Sequence, residues 1–213
     1  MGSGATRRRQ VAAGPSASVQ RRQFLAAAGT SAVAAVGGCV TVSRQSASPL
    51  SADLPALDDG GRLPVRFSCD GDGVSPAVTL SSVPEPTASV MVTATVTSNI
   101  ANQSLLWTLW NVPPETERIP EDLPREPTVG SLDGARQGRV RLGEVGYRAP
   151  CPPPGETYDY DFQIYALDRR LDIDGGTTNE DAVEATEGRV LASTRTTVSY
   201  ARAGDVTPLE GPG

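Results

Sequence analysis

The segment 146–168, which reads GYRAPCPPPGETYDYDFQIYALD, restricts the possible folds more than any other part of the chain. Its four prolines, at positions 150, 152, 153 and 154, fix φ and remove backbone donors, so the first half cannot be helical. After Gly155, apolar and polar residues alternate, with one face carrying Tyr158, Tyr160, Phe162, Ile164 and Ala166. This period of two predicts a half-buried β-strand. A rigid, donor-poor loop that leads into such a strand can hold open a notch for a ligand.

Other segments also carry strand patterns. Residues 89–97 alternate between valine or alanine on one face and mostly threonine on the other, which predicts a central strand of a β-sandwich. Residues 105–110, LLWTLW, are apolar on both faces, which is typical of a strand covered on both sides. Short patterns also predict strands at 65–68 and 75–80, and a longer alternating pattern predicts a last strand at 190–200. The fold class predicted from these patterns is mainly β.

Helix signals are concentrated in residues 179–188. Asn179 or Thr178 would be the N-cap, acidic residues follow at once, and Gly188 lies beyond the end. Residues 115–139 are rich in proline, glutamate and arginine without a period, which predicts a long surface loop. The sequence DGDG at 70–73 favours a turn over a calcium loop, because the further ligands and terminal glutamate of an EF-hand are missing.

The N-terminal part has the pattern of an export signal. Arg21 and Arg22 begin a twin-arginine pattern, and the weakly apolar run 25–36 is too short to span a bilayer, which needs roughly 20 residues. The run ends in VGGC, which resembles a lipobox with Cys39 as the lipid attachment site. A secreted chain without lipid and an amphipathic N-terminal helix are the alternatives. The domains predicted are a signal peptide at 1–38, a flexible tether at 39–60, a folded domain at 61–203 and a disordered tail at 204–213.

The charge of the chain is unusual. All 19 basic residues are arginine, there are 25 acidic residues, and histidine is absent. Removing the signal peptide leaves 14 arginines against 25 acidic residues, a formal charge of -11. Such a surface disfavours nucleic acid and anionic membrane surfaces as partners. High negative charge without lysine suggests a halophilic source, where counterions screen the repulsion.

Several motifs together resemble one known family. They are CDGDGVSPAVTLSSVP (69–84), LLWTLWNVP (105–113), LGEVGYRAPCPPPGETYDYDFQIYALD (142–168) and EDAVEATEGRVLASTRTTVSYAR (180–202). In this order and at these spacings they resemble the phosphatidylethanolamine-binding protein family, also called Raf kinase inhibitor-like, in its bacterial and archaeal branch. The resemblance implies an antiparallel two-sheet β-sandwich with one or two short helices.

The resemblance also implies a ligand pocket and shows where this chain departs from the family. The residues carried over to the pocket are Asp70, Ser75, Asn99, Trp107, Pro150, Cys151, Pro152 and Tyr158. The family's acidic motif is replaced around Asn99, and its two pocket histidines are replaced by Leu106 and Tyr158. Trp107 is favoured as a core residue over a ligand contact, whereas Tyr158 is open between a core tyrosine and a neutral donor at the pocket floor.

If Cys39 is acylated, Cys69 and Cys151 remain as an even pair in an oxidising compartment. Both lie on motifs that converge near the family's pocket, so a disulfide is one hypothesis and buried free thiols are the other. No metal site is expected, because two cysteines without histidine cannot supply the usual zinc ligands. No cofactor is expected either.

The chain is predicted to be non-enzymatic. Without histidine, Ser-His and Cys-His catalysis are excluded, and no pair of carboxylates stands out from the acidic surface. The favoured function is an extracytoplasmic binding protein, anchored to the cell membrane through its N-terminal lipid, with a pocket for a small anionic or polar ligand such as a phospholipid headgroup. The alternative is a protein-interaction or inhibitor module, of the kinase or protease type, with a vestigial pocket.

Overall fold

The computed structural model describes residues 49–57, 61–97, 104–140 and 143–204. The predicted signal peptide with Cys39, the first part of the predicted tether, the pocket candidate Asn99 and residues 205–213 of the predicted tail lie outside the described residues. Among the residues that are described, no helix is long and apolar enough to cross a membrane.

Strands dominate the described part of the chain. They are β1 (Ser51–Asp53), β2 (Val78–Ser82), β3 (Ser89–Val96), β4 (Leu105–Val112), β5 (Arg118–Ile119), β6 (Thr128–Val129), β7 (Ala135–Gln137), β8 (Thr157–Leu167) and β9 (Val190–Ala201). The smaller sheet has the order β1-β2-β5, and the larger has the order β6-β7-β4-β3-β8-β9. All strand pairs are antiparallel. The predicted mainly β, two-sheet antiparallel fold is therefore confirmed.

The larger sheet is covered on both faces at its centre. Val90 and Val92 of β3 point into the main core, which also takes in side chains from the smaller sheet such as Val78. Met91 points the other way, into a second cluster with Trp110 and Leu167. The strict alternation of residues 89–97 and the apolar run 105–110 are both explained by this arrangement, because the period of a strand is two.

One short helix, α1 (Asn179–Glu184), packs on the face of β4 that is turned away from the main core. Thr178 is its N-cap and accepts a hydrogen bond of 3.2 Å from the amide of Asp181. The buried Asn179 side chain accepts a bond of 2.8 Å from the Thr108 hydroxyl of β4, which fixes the helix to the sheet. The predicted helix is confirmed, although it ends three residues earlier than the pattern suggested.

Three sequence-based predictions were wrong. Val65–Phe67 is a 3₁₀ helix instead of a strand, because the amides of Phe67 and Ser68 bond to carbonyls three residues back. The segment 115–139 contains β5, β6 and β7 and buries residues such as Ile119 and Gln137 instead of forming a surface loop. The flexible tether does not extend to residue 60, because β1 pairs with β2 and its neighbours Leu50 and Leu54 are buried in the main core.

Candidate functional site

The turn at residues 68–73 and the proline loop at residues 150–154 meet at one end of the larger sheet. A disulfide between Cys69 and Cys151 joins them across 82 residues of sequence, so of the two hypotheses for these cysteines the structure contains the paired one. Beside it, the Cys69 amide donates a hydrogen bond of 3.0 Å to the Pro150 carbonyl. A covalent and a hydrogen-bonded link therefore hold the two segments together.

The turn is built around the carboxylate of Asp70. The buried Ser68 hydroxyl donates to the Val65 carbonyl at 2.8 Å and accepts from the Asp70 amide at 3.2 Å. Gly71 is required in this turn, because a Cβ there would overlap the backbone of Val65. The structure thus contains the turn that the Asp-Gly pattern favoured, and no group of three or more metal-ligating side chains occurs among the residues it describes.

The Asp70 carboxylate receives two hydrogen bonds from the end of β9 and the residue just beyond it. The Tyr200 hydroxyl donates to Oδ2 at 2.6 Å, and the Arg202 Nε donates to Oδ1 at 3.1 Å. The hydrogen bond from Tyr200 and the charge of Arg202 hold the pKa of Asp70 below its usual range, against a smaller opposing effect of desolvation. We call these three residues the Asp70 cluster; its carboxylate is ionised at neutral pH and lies beside a guanidinium.

Tyr158 lies on the same face of the sheet as the cluster. The register of β8 and β9 places Tyr158 directly opposite Tyr200, and the backbone of Arg202 bonds to Glu156 and Gly155. Since side chains two residues apart share a face, Glu156, Tyr158, Tyr200 and Arg202 extend from one surface. Burial, with the nearby Glu156 carboxylate, raises the pKa of Tyr158, so its hydroxyl stays protonated well above neutral pH. The half-buried ring also packs against the main core, as expected for a core tyrosine, and a donor role of its hydroxyl toward a ligand stays a prediction.

Two pocket candidates are occupied with structural contacts. Trp107 is fully buried, donates from Nε1 to the Gln137 side chain at 2.9 Å and packs edge-on against Tyr147. It is the core residue that the sequence favoured. The Tyr147 hydroxyl in turn donates to the Phe67 carbonyl, so this part of the core supports the turn that begins at Ser68.

Ser75, the second of these candidates, is also buried. Its hydroxyl accepts a hydrogen bond of 3.0 Å from the Leu123 amide, which fixes residues 122–123.

The proline loop contributes backbone oxygens to the site. Pro150 and Pro152 are buried, whereas Cys151 is exposed between them. The Pro152 carbonyl accepts from Nη1 of Arg202 at 3.4 Å, so the guanidinium is held between this carbonyl and Asp70. The structure thus brings together Asp70, Pro150, Cys151, Pro152 and Tyr158, and it leaves Ser75 and Trp107 in supporting positions.

Sequence analysis missed Tyr200, Arg202 and Glu156. The signal that could have found them is the alternation of the last strand. Val198 belongs to the alternating set of that strand, and extending the period by two and four residues puts Tyr200 and Arg202 on the same face. Their link to Asp70 was not visible, because it spans more than a hundred residues.

Comparison with known proteins agrees with this fold. Residues 54–201 match the family model "Phosphatidylethanolamine-binding protein". A UPF0098 protein of Methanothermobacter thermautotrophicus is 38% identical over 151 residues, which cover 69% of this chain and 95% of the relative. Escherichia coli YbcL, described as a new member of the mammalian PEBP family, has a crystal structure that superimposes with a TM-score of 0.64 at 26% identity, over 72% of this chain and 99% of that one.

A phosphatidylethanolamine-binding protein homologue from Chlamydia trachomatis gives a TM-score of 0.62 at 27% identity, over 72% of this chain and 98% of that one. The family match spans more than half of the chain and includes every element from β2 to β9. The chain therefore belongs to the phosphatidylethanolamine-binding protein family.

Proposed function

We propose that this protein binds a small polar ligand of the phospholipid-headgroup type at the Asp70 cluster and does not catalyse a reaction. The observation that supports this most directly is the juxtaposition of opposite charges, with the Asp70 carboxylate 3.1 Å from Nε of Arg202. A zwitterion with an ammonium group and a phosphate group complements such a pair. A site that binds only anions would offer hydrogen-bond donors alone, whereas this site also offers the Asp70 carboxylate as an acceptor.

Each group of the site has a role in this proposal. The Asp70 carboxylate accepts hydrogen bonds from the ligand's ammonium group. Arg202 offers the guanidinium protons that its bonds to Asp70 and Pro152 leave available, and guanidinium groups suit phosphate oxygens. The protonated hydroxyl of Tyr158 adds a neutral donor. The disulfide fixes the turn that carries Asp70, which lowers the entropy lost on binding.

Catalysis is not part of the proposal, because no activated nucleophile accompanies the cluster. The chain has no histidine, and both site cysteines are joined in the disulfide. Asp70 is held ionised, which is the wrong state for a general acid near neutral pH. Binding is the chemistry that these groups support.

The test is calorimetric titration of the full chain with sn-glycero-3-phosphoethanolamine, a soluble phosphodiester that carries the headgroup charges. We expect saturable binding that Asp70→Asn and Arg202→Gln each weaken about tenfold, since one charge-assisted contact contributes roughly 1.4 kcal/mol. Arg118→Gln, which removes an exposed arginine on β5, is the control for charge alone. Absence of binding by the wild-type chain in both low and high KCl would contradict the proposal.

A second function has one observation in its favour. Leu106 stands at a family histidine position and is buried in the main core, and Tyr158 packs against that core as well. Apolar filling of this kind suits a vestigial pocket on a protein-interaction or inhibitor module. If the headgroup titration fails, this alternative becomes the better account of the fold.

The proposal also includes an extracytoplasmic location, with attachment to the membrane by a lipid on Cys39. Its support is the twin-arginine pattern, the lipobox-like VGGC and a surface disulfide, which persists in oxidising compartments. Cell fractionation of Cys39→Ser is the test. Equal membrane association of the variant and the wild type would refute the lipid anchor.

A further inference from the structure

A cavity lies at the opposite end of the larger sheet from the Asp70 cluster. It measures about 270 Å³, and three arginines line it: Arg169, Arg170 and Arg189. They lie beyond the C-terminal end of β8 and just before β9, whereas Tyr158 is at the N-terminal end of β8. Nine residue steps of about 3.4 Å separate Tyr158 from the end of that strand, so the two sites are roughly 30 Å apart.

Buried polar side chains fix the loop that carries two of these arginines. The fully buried Ser89 hydroxyl donates to the Arg169 carbonyl at 2.9 Å. The side chain of Asn111, itself buried, bonds to both backbone groups of Leu171, accepting from its amide at 2.7 Å and donating to its carbonyl at 2.9 Å. The Leu171 side chain is anchored in the cluster with Trp110. The cavity is therefore bounded by a loop that the sheet holds in place.

The guanidinium groups at the rim are only partly used within the protein. Arg189 donates from Nε to the Ala185 carbonyl at 3.0 Å, which orients the group and leaves both Nη atoms without a hydrogen bond in the described part of the chain. Arg169 bonds through Nε and Nη2 to its neighbour Asp168. Arg170 makes no side-chain hydrogen bond or ion pair with any described residue.

The local charge is opposite to that of the whole protein. Three arginines line the cavity against one acidic residue, Asp172, and even with Asp168 counted the local balance remains positive. The chain as a whole has a formal charge of -6. Arg170 and the Nη atoms of Arg189 have no hydrogen bond within the described part of the chain, so guanidinium donors remain available at the cavity, and such donors match the planar, bidentate geometry of oxyanions.

We infer that this cavity is a second binding site, separate from the Asp70 cluster, which takes a small phosphate-type oxyanion. Its volume suits a ligand below the size of a drug molecule. Leu171 and Ile173 give it an apolar wall, which would contact a short carbon chain attached to the phosphate. The ligand is thus either inorganic phosphate itself or the phosphate of a small phosphorylated molecule.

The experiment titrates the full chain with inorganic phosphate and, separately, with sn-glycerol 3-phosphate, at the lowest KCl concentration that keeps it folded. We expect saturable binding to the wild type. Arg170→Gln, which breaks no side-chain hydrogen bond or ion pair within the described structure, and Arg189→Gln should each lower the affinity for inorganic phosphate about tenfold. The double variant should show no measurable binding. Tighter binding of glycerol phosphate than of inorganic phosphate would identify a phosphorylated molecule as the ligand, and equal binding would identify phosphate itself.

A control variant and a changed background separate binding in this cavity from binding elsewhere on the protein. Arg118→Gln removes an exposed arginine from β5 and should leave phosphate binding unchanged. The titrations are also repeated in the Arg202→Gln background, which removes any phosphate that the Asp70 cluster binds. Loss of all phosphate binding in Arg202→Gln alone, or phosphate affinity that survives in that background when Arg170→Gln and Arg189→Gln are added, would overturn the inference. The headgroup titration uses other residues, so either proposal can fail while the other holds.

Discussion

The hydroxyl of Tyr200 donates a hydrogen bond of 2.6 Å to Oδ2 of Asp70, 130 residues earlier in the chain. The bond stabilises the charged form of the carboxylate and lowers its pKa. Burial, together with this bond to the Asp70 carboxylate, raises the pKa of Tyr200.

The stabilisation of the fold through Asp70 is present above the unfolded-state pKa of this residue, near 3.8, and is lost as the pH falls through the lower folded value. The stabilisation through Tyr200 is present below its unfolded-state pKa, near 10.0, and is lost as the pH rises through the higher folded value.

The first prediction concerns Tyr200→Phe, which deletes this bond and keeps the ring. We expect the pKa of Asp70 to rise toward its usual value, because the hydrogen bond is the largest cause of its depression. The measurement is an NMR titration of the Asp70 carboxyl carbon. Tyr165→Phe, on the opposite face of β8, is the matched control and should leave the titration as it is in the wild type. An Asp70 titration unaltered by Tyr200→Phe would show that Arg202 alone sets the pKa.

The second prediction is that binding of sn-glycero-3-phosphoethanolamine does not depend on pH between about pH 6 and 8.5. The pKa of Asp70 is lowered, and those of Tyr158 and Tyr200 are raised, so these three groups titrate outside that range. The chain also lacks histidine.

Calorimetric titration across this range is the measurement. Tyr158→His serves as a positive control. An imidazole at the site should make the binding affinity change with pH, with an inflection near the ordinary imidazole pKa of about 6.5. An inflection near neutral pH in the wild-type chain would mean that some other group controls binding.

The third prediction concerns the disulfide between Cys69 and Cys151. It closes a loop of 82 residues, so opening it should lower the free energy of unfolding by about 2–4 kcal/mol. It should also weaken headgroup binding, because the turn with Asp70 loses its covalent link to the proline loop. Chemical denaturation with and without reductant measures the first effect. The Cys69→Ala, Cys151→Ala double variant should be insensitive to reductant; if wild type and double variant unfold at the same denaturant concentration, the disulfide does not stabilise the fold.

The sequence was sufficient for the elements that carry a period. Residues 89–97 and 190–200 predicted β3 and β9 because each segment is long enough to show an alternation, and the continuous apolar run 105–110 predicted β4. The segment 115–139 could not be predicted, since strands of two or three residues show no period. The short strands β5 and β7 form because β2 and β4, respectively, supply the neighbours with which they pair.

The site was predictable only in part, for a related reason. Asp70, Pro152 and Tyr158 lie on local motifs that the resemblance marks. Arg202 is recognisable as a site residue only once the register of β8 and β9 is known, because that register brings it to Asp70. A contact of this kind depends on the tertiary fold and leaves no mark within a local stretch of sequence.

The last prediction concerns Gln137, which was placed in a surface loop by its sequence and is in fact almost fully buried. Its side chain accepts from Nε1 of Trp107 at 2.9 Å and donates to the carbonyls of Pro124 and Glu126 at 2.7 and 3.1 Å. Gln137→Leu would leave the buried Nε1 of Trp107 without a partner, which costs about 1–3 kcal/mol, and would also remove the bonds to the two carbonyls, each with a net contribution of about 1 kcal/mol.

We therefore expect Gln137→Leu to lower the free energy of unfolding by about 3 kcal/mol, measured by guanidinium denaturation followed through tryptophan fluorescence. Gln163→Leu, at a half-buried glutamine of β8 with no side-chain hydrogen bond in the described structure, is the matched control and should change stability by less than about 0.5 kcal/mol. Because Trp107 packs against Tyr147, which holds the Phe67 carbonyl, the loss at Gln137 should also loosen the turn that carries Asp70. Equal stability of the two variants would mean that this buried network does not support the site.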